Sequence, residues 1–272
     1  VTDTGSLVDA TELSRAPTPV IGAARDAVAV TIRNLTDLWR VPQFLVFIML
    51  QPILFVLLFR YVFGGAISTV PGIPYVDYLM PGIFVITVVF GSATTAVSMA
   101  TDAKSGLLER FRALPMARSA VLAGRTLSDL LRTTVIVAII IGIGFAVGFR
   151  VQTNAFLFIA AILLVLLFAY ALLWIQATVG LLTGDPESAQ AASFPVVALF
   201  TFASSAFVPI STMPAWLQGF AKYQPVSVMA SAVRALCLGG ATASWVLQAL
   251  AWILVILVVF IPLAVWRYSR SE

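Results

Sequence analysis

A chain of 272 residues that is 61% hydrophobic and 10% charged, with a mean hydropathy of +1.03, carries more apolar surface than a soluble domain of that length can bury. Its apolar runs are continuous rather than alternating, which argues against a β-barrel and for an all-α polytopic membrane protein. There is no histidine and one cysteine, Cys237. Serine–histidine and cysteine–histidine catalysis, histidine metal sites and an internal disulfide are therefore excluded. A net charge of +4 would suggest nucleic acid in a soluble chain. Here cytoplasmic loops facing anionic lipid explain it, and no nucleic-acid partner is expected.

Residues 1–20 are polar, contain Pro17 and Pro19, and read as a mobile cytoplasmic tail. They lack an apolar core segment, so no cleavable signal peptide is expected. Over residues 21–40 the pattern becomes helical. At 100° per residue Ile21, Ala24, Val28, Ile32, Leu35, Leu38 and Trp39 share one side, while Arg25, Asp26, Arg33, Asp37 and Arg40 share the other. An apolar stripe opposite arginines predicts an amphipathic helix lying in the membrane interface, with Arg25, Arg33, Trp39 and Arg40 at the headgroups.

A block of predicted spans occupies 41–268, leaving a short cytoplasmic tail at 269–272. The six predicted spans run at about Val41–Phe63, Tyr78–Thr101, Ala120–Phe149, Asn154–Thr183, Ser188–Val208 and Trp245–Trp266. Pro52, Pro195 and Pro262 fall inside them and mark kinks.

Between spans two and three lies a basic island, DAKSGLLERFRALPMARSAVLAGRTLSDLLR, holding Lys104, Arg110, Arg112, Arg118, Arg125 and Arg132. Leu107, Phe111 and Leu114 recur at helical spacing, Glu109, Arg110 and Arg112 point elsewhere, and Pro115 stops the turn. The pattern alone leaves two readings: a solvated positive-inside loop, or a short amphipathic helix that rests on lipid or docks into a partner. Before the last span, Ser211–Gly240 is apolar yet broken by Pro214, Gly219, Pro225, Gly239 and Gly240. Each piece is too short to span, and Trp216, Lys222, Tyr223 and Arg234 favour an interface, so two short re-entrant helices are expected there.

With the N-terminus inside, twelve basic residues fall on the inner segments against four outside (Arg60, Arg150, Lys222 and Arg234). This bias predicts both termini in the cytoplasm. No phosphate-binding loop is present, because Lys104-Ser105 lacks the glycines such a loop requires, so ATP hydrolysis is not expected on this chain. Charges gather at span ends, and the mid-span polar groups are neutral. Gln51, Thr94, Thr95, Ser204 and Ser205 are the candidates for a substrate path, although serine and threonine commonly serve helix packing. Without an intramembrane acid, the driving energy is expected from elsewhere.

The island GLLERFRALPMARSAVLAGRTLSDLLR and the block FVPISTMPAWLQGFAKYQPVSVMASAVRALCLGG resemble the ABC-2-type transporter permeases, within them the daunorubicin-resistance group of drug and lipid exporters. In the second block the resemblance rests on Met213-Pro214, Trp216-Leu217, Gln224-Pro225 and Arg234. It implies a subunit that pairs with a second permease, as homo- or heterodimer, and with two cytoplasmic ATP-binding subunits that carry ATP and Mg. It further implies that Gly106–Pro115 is the coupling helix, with Lys104, Leu107, Glu109, Arg110, Phe111, Arg112 and Pro115 at the ATPase contact. The expected cargo is a hydrophobic drug or envelope lipid moved outward across a bacterial cytoplasmic membrane. A polysaccharide or teichoic-acid precursor exporter is the alternative, and an intramembrane lipid-linked transferase is a remote one.

Overall fold

The computed structural model describes residues 42–64, 73–106 and 118–270, and every regular element among them is helical. Helix α1 (Pro42–Leu57) widens into a π-helical turn at Leu58–Val62. Four long helices follow: α2 (Tyr75–Lys104), α3 (Arg118–Val147), α4 (Ala155–Thr183) and the shorter α5 (Pro186–Phe202). A 3-10 turn at Ile210–Thr212 leads to α6 (Ala215–Tyr223), α7 (Pro225–Leu238) and α8 (Thr242–Arg270). By length and composition α2, α3, α4 and α8 are each able to cross a bilayer. The tail at 1–20, the interfacial helix expected at 21–40 with Arg25, Arg33, Trp39 and Arg40, and the island residues Leu107, Glu109, Arg110, Phe111, Arg112 and Pro115 lie outside the described residues.

Helix α2 is the axis of the bundle. Every residue from Tyr75 to Val89 is buried, and the sequence there is correspondingly apolar on all sides, as a helix enclosed by others must be. Helix α4 packs along it, α3, α5 and α7 surround it, and α8 closes against α4 and α7. Close approach is bought with glycine. A Cβ at Gly180 would fall 2.4 Å from the Ala96 carbonyl oxygen, and one at Gly82 would fall 2.1 Å from that of Ala206. Small residues at such crossings let helix backbones meet where no hydrophobic force acts between apolar surfaces. The outer faces of α4 and α8 remain apolar, with Leu163, Leu247, Leu254 and Val258 exposed, a surface suited to hydrocarbon.

Local chemistry sets the helix ends. The Asn154 side chain accepts the Leu157 amide, and Asp185 accepts the Ser188 amide, each capping the helix it precedes. Gly184 closes α4 in the left-handed conformation at φ 65°. Pro225 opens α7, where its missing N–H is harmless.

Several details differ from the sequence expectation. Helix α2 starts at Tyr75, after the extended Pro74, and carries Pro81 inside it. Gly219 lies within α6 and breaks nothing. Helix α5 ends at Phe202, short of Val208, and the chain then runs irregularly through Ala203–Phe207 although every one of those residues is buried. The two short helices before the last one are present at the expected positions.

Candidate functional site

Arg125, Asp129 and Arg132 stand at i, i+4 and i+7 on α3, hence on one helical face. That face meets α2. The Arg125 guanidinium donates to the Asp102 carboxylate at 2.7 Å and lies 4.0 Å from that of Asp129. Arg132 pairs with Asp129 at 3.3 Å and donates to the Thr94 hydroxyl at 2.7 Å, while the Thr95 hydroxyl donates to Asp129 at 2.7 Å. The charges alternate in sign, and the inner pair is almost fully enclosed, with Arg132 at 8% and Asp129 at 6% side-chain exposure. Buried ions are tolerable only when both partners and hydrogen bonds are present, as they are here.

One end of this network opens on a cavity of about 710 Å³. Gln51 of α1, Thr94, Ser98 and Asp102 of α2, Arg125 of α3, and Gln190 and Ser193 of α5 supply its polar wall; Phe90, Ala93, Val97 and Phe194 supply the apolar one. Its size and its mixture of apolar wall with a few polar groups are those of a small-molecule site. An aromatic cluster continues from it along the bundle. Phe55 touches Phe90, Phe202 and Phe207, and Phe59 stacks on Phe207 at 4.2 Å between centroids.

At the same end of the bundle, Lys104 bridges to Asp185 at 2.6 Å, joining the end of α2 to the α4–α5 connection. The Lys104 ammonium and the Ser188 amide hold the Asp185 carboxyl below its ordinary range. Deeper, Ser193 donates to Gln176 at 2.8 Å and ties α5 to α4.

The other end of the bundle is built around the irregular stretch after α5. Arg234 of α7 donates from Nε to the Tyr78 carbonyl at 2.8 Å, and from one terminal nitrogen to the carbonyls of Ser205 at 2.6 Å and Ala206 at 2.8 Å. Its guanidinium lies 3.7 Å from the Tyr78 ring centroid. The Tyr78 and Tyr75 hydroxyls donate to the Ser205 and Phe207 carbonyls, Gln224 donates to the Phe200 and Ala203 carbonyls, and Ser227 accepts the Ser205 amide. Backbone groups freed by the end of α5 thus find partners inside the protein. Asp77, also buried, accepts the Arg150 amide at 2.8 Å and holds the α3–α4 connection.

The candidate path residues therefore separate. Gln51 and Thr94 line the cavity, Thr95 turns away from it to Asp129, and Ser204 and Ser205 lie at the opposite end. Pro214 and Pro225 each precede or open a short helix, Trp216 is 80% exposed, and Arg234 is the clamp just described. Lys104 is engaged with Asp185. The Asp129–Arg132 pair is not among the residues that the sequence singles out for a site, where Arg132 counts only as one cation of the basic island. The i, i+4, i+7 spacing of alternating charges was the available signal.

Residues 25–238 match the family model of the ABC-2 type transporter. The chain is 34% identical to the daunorubicin resistance ABC transporter permease protein DrrB1 of Streptomyces coeruleorubidus over 82% of this chain and 84% of the relative. It is 30% identical to a probable doxorubicin resistance ABC transporter permease protein, DrrC, of Mycobacterium tuberculosis, over 96% and 97%. A putative transport permease of Porphyra purpurea is 28% identical over 76% and 72%. With most of its length matched and its all-helical bundle bearing long apolar helices, the chain belongs to the ABC-2 type transporter family.

Proposed function

We propose that this chain is the permease subunit of an ATP-driven exporter that moves a hydrophobic drug or envelope lipid outward across a bacterial cytoplasmic membrane. The observation that carries the reading is the cavity between α1, α2 and α5 in a chain whose relatives are named drug-resistance permeases. Its phenylalanine and aliphatic wall suits an apolar cargo better than a sugar polymer, which favours the drug or lipid over the polysaccharide or teichoic-acid alternative.

Six spans follow if α1 with its π-helical turn and α5 with the stretch after it also cross. Seventeen residues of α5 reach only about 26 Å, short of a hydrocarbon core of about 30 Å. The irregular Ala203–Phe207 stretch supplies the remaining depth, and its internal hydrogen bonds make such backbone tolerable there. The twelve-to-four basic bias supports an orientation with both termini, Lys104 and Asp185 in the cytoplasm and with α6 and α7 on the outer side.

A second permease, identical or related, completes the route, and two cytoplasmic ATP-binding subunits drive it through the island after α2. Closure of those subunits on ATP and Mg shifts the pair of permeases between inward- and outward-open arrangements. The test is co-expression with the neighbouring ATPase, purification of the complex, and ATP-dependent uptake of a labelled anthracycline or lipid into inverted vesicles. Failure to co-purify together with cargo uptake independent of ATP overturns the reading.

A further inference from the structure

The end of the bundle that carries Arg234 holds a second cavity, of about 320 Å³, lined by Tyr78, Ser205, Ser231, Arg234, Leu238 and Trp245 among others. The groups that Arg234 touches are all neutral. Three carbonyl oxygens take its Nε and one terminal nitrogen, and the Tyr78 ring takes its face. Its second terminal nitrogen reaches only the Ser205 hydroxyl, at 3.5 Å, the outer limit of a hydrogen bond. Among the described residues no carboxylate pairs with it. A largely enclosed cation that lines a cavity, with one terminal nitrogen only weakly held, lacks an anion.

We propose that this cavity is a binding site for the phosphodiester headgroup of an anionic membrane lipid. The Arg234 guanidinium and the Ser231 and Ser205 hydroxyls receive the phosphate oxygens. Leu238 and Ile210 flank the lipid's glycerol and first acyl carbons, and Trp245 lies at the headgroup level where tryptophan partitions. The cavity is the smaller of the two, and the one of about 710 Å³ at the other end leaves more room for a drug-sized cargo. The site thereby links lipid composition to the α5–α7 clamp, since the same arginine holds both.

The inference rests on the membrane reading above but not on the cargo or the direction of export, so it is tested on the full chain in detergent, without ATPase. Phosphatidylglycerol, phosphatidylcholine and inorganic phosphate are titrated separately, with bound lipid read by native mass spectrometry and stability by thermal unfolding. Phosphatidylglycerol is expected to bind about fivefold more tightly than phosphatidylcholine, and phosphate alone to give little stabilisation. Arg234→Gln removes the charge but risks the fold, because its carbonyl partners lose donors. Ser231→Glu leaves the guanidinium and its backbone bonds in place and puts a carboxylate one helical turn away. Its expected result is loss of the phosphatidylglycerol preference with a melting temperature in lipid-free detergent that is not lowered, because the new carboxylate takes the place of the missing anion. Equal binding of the two lipids by the parent chain, or an undiminished preference in Ser231→Glu, overturns the proposal. Equal stabilisation by inorganic phosphate overturns the lipid as its source.

Discussion

Arg125 and Asp102, on different helices, meet at 2.7 Å on the wall of the cavity between α1, α2 and α5. Behind them Asp129 and Arg132 continue the alternation into the interior. Asp129→Ala leaves Arg132 without its carboxylate and should destabilise the protein by about 3 kcal/mol. Asp129→Leu with Arg132→Leu should recover much of that loss, since neither ion then remains unpaired. Thermal unfolding in detergent reads both, and a double variant as unstable as the sum of its singles contradicts the pairing.

Two glycines mark where helices touch. Gly82→Ala and Gly180→Ala each drive a methyl into a backbone carbonyl, at 2.1 and 2.4 Å, and should cost about 1–3 kcal/mol. Gly142→Ala meets nothing within 4 Å and should be neutral or stabilising by up to about 1 kcal/mol. If all three melt alike, the crossings are not as close as described.

The cavity makes a specific demand on cargo. Ala93→Phe should fill it and reduce export several-fold while the protein still assembles with its partners. Gln51→Leu should change cargo preference more than rate, because it removes a polar contact without closing the space. Ser205→Leu is different. Ser205 is 3% exposed inside the α5–α7 clamp, so this variant should fail by poor folding, visible as loss of the monodisperse protein. Normal transport by Ala93→Phe places the route elsewhere.

The proposed sidedness rests on the basic bias. In a Cys237→Ser background, Ser68→Cys should react with an impermeant thiol reagent from outside and Ala103→Cys only after the membrane is opened. Cys237 is fully buried, so the parent chain should label weakly at most. The reverse labelling pattern contradicts both the orientation and the cytoplasmic placement of Lys104 and Asp185.

The island should transmit the ATPase stroke. If the island docks on the ATPase as proposed, Phe111→Ala would remove an aromatic anchor, a loss of about 2 kcal/mol at an interface, and Arg110→Ala would remove a partner for carboxylates. Together they should lower cargo-stimulated ATP hydrolysis and export with membrane insertion unchanged. Undiminished export from the double variant means that the island is only a solvated loop.

Apolar run length and helical periodicity were enough to read an all-helical membrane protein, most of its long helices and the two short ones before the last. Those properties are local, set by neighbours three and four positions apart and by prolines and glycines at the ends. Pro214, Pro225 and Gly239 announced their boundaries for that reason. The end of α5 at Phe202 was not legible, because it depends on Arg234, Gln224 and Tyr78 arriving from distant elements to satisfy the carbonyls that a broken helix leaves open. Likewise Arg125 and Arg132 read only as cations of the basic island until α2 brought Asp102 and Thr94 against them. Composition decided that the chain lives in a membrane; only the packing of α2 against α3 and α7 decided which of its charges are enclosed, since burial and pairing are properties of contacts made across the bundle.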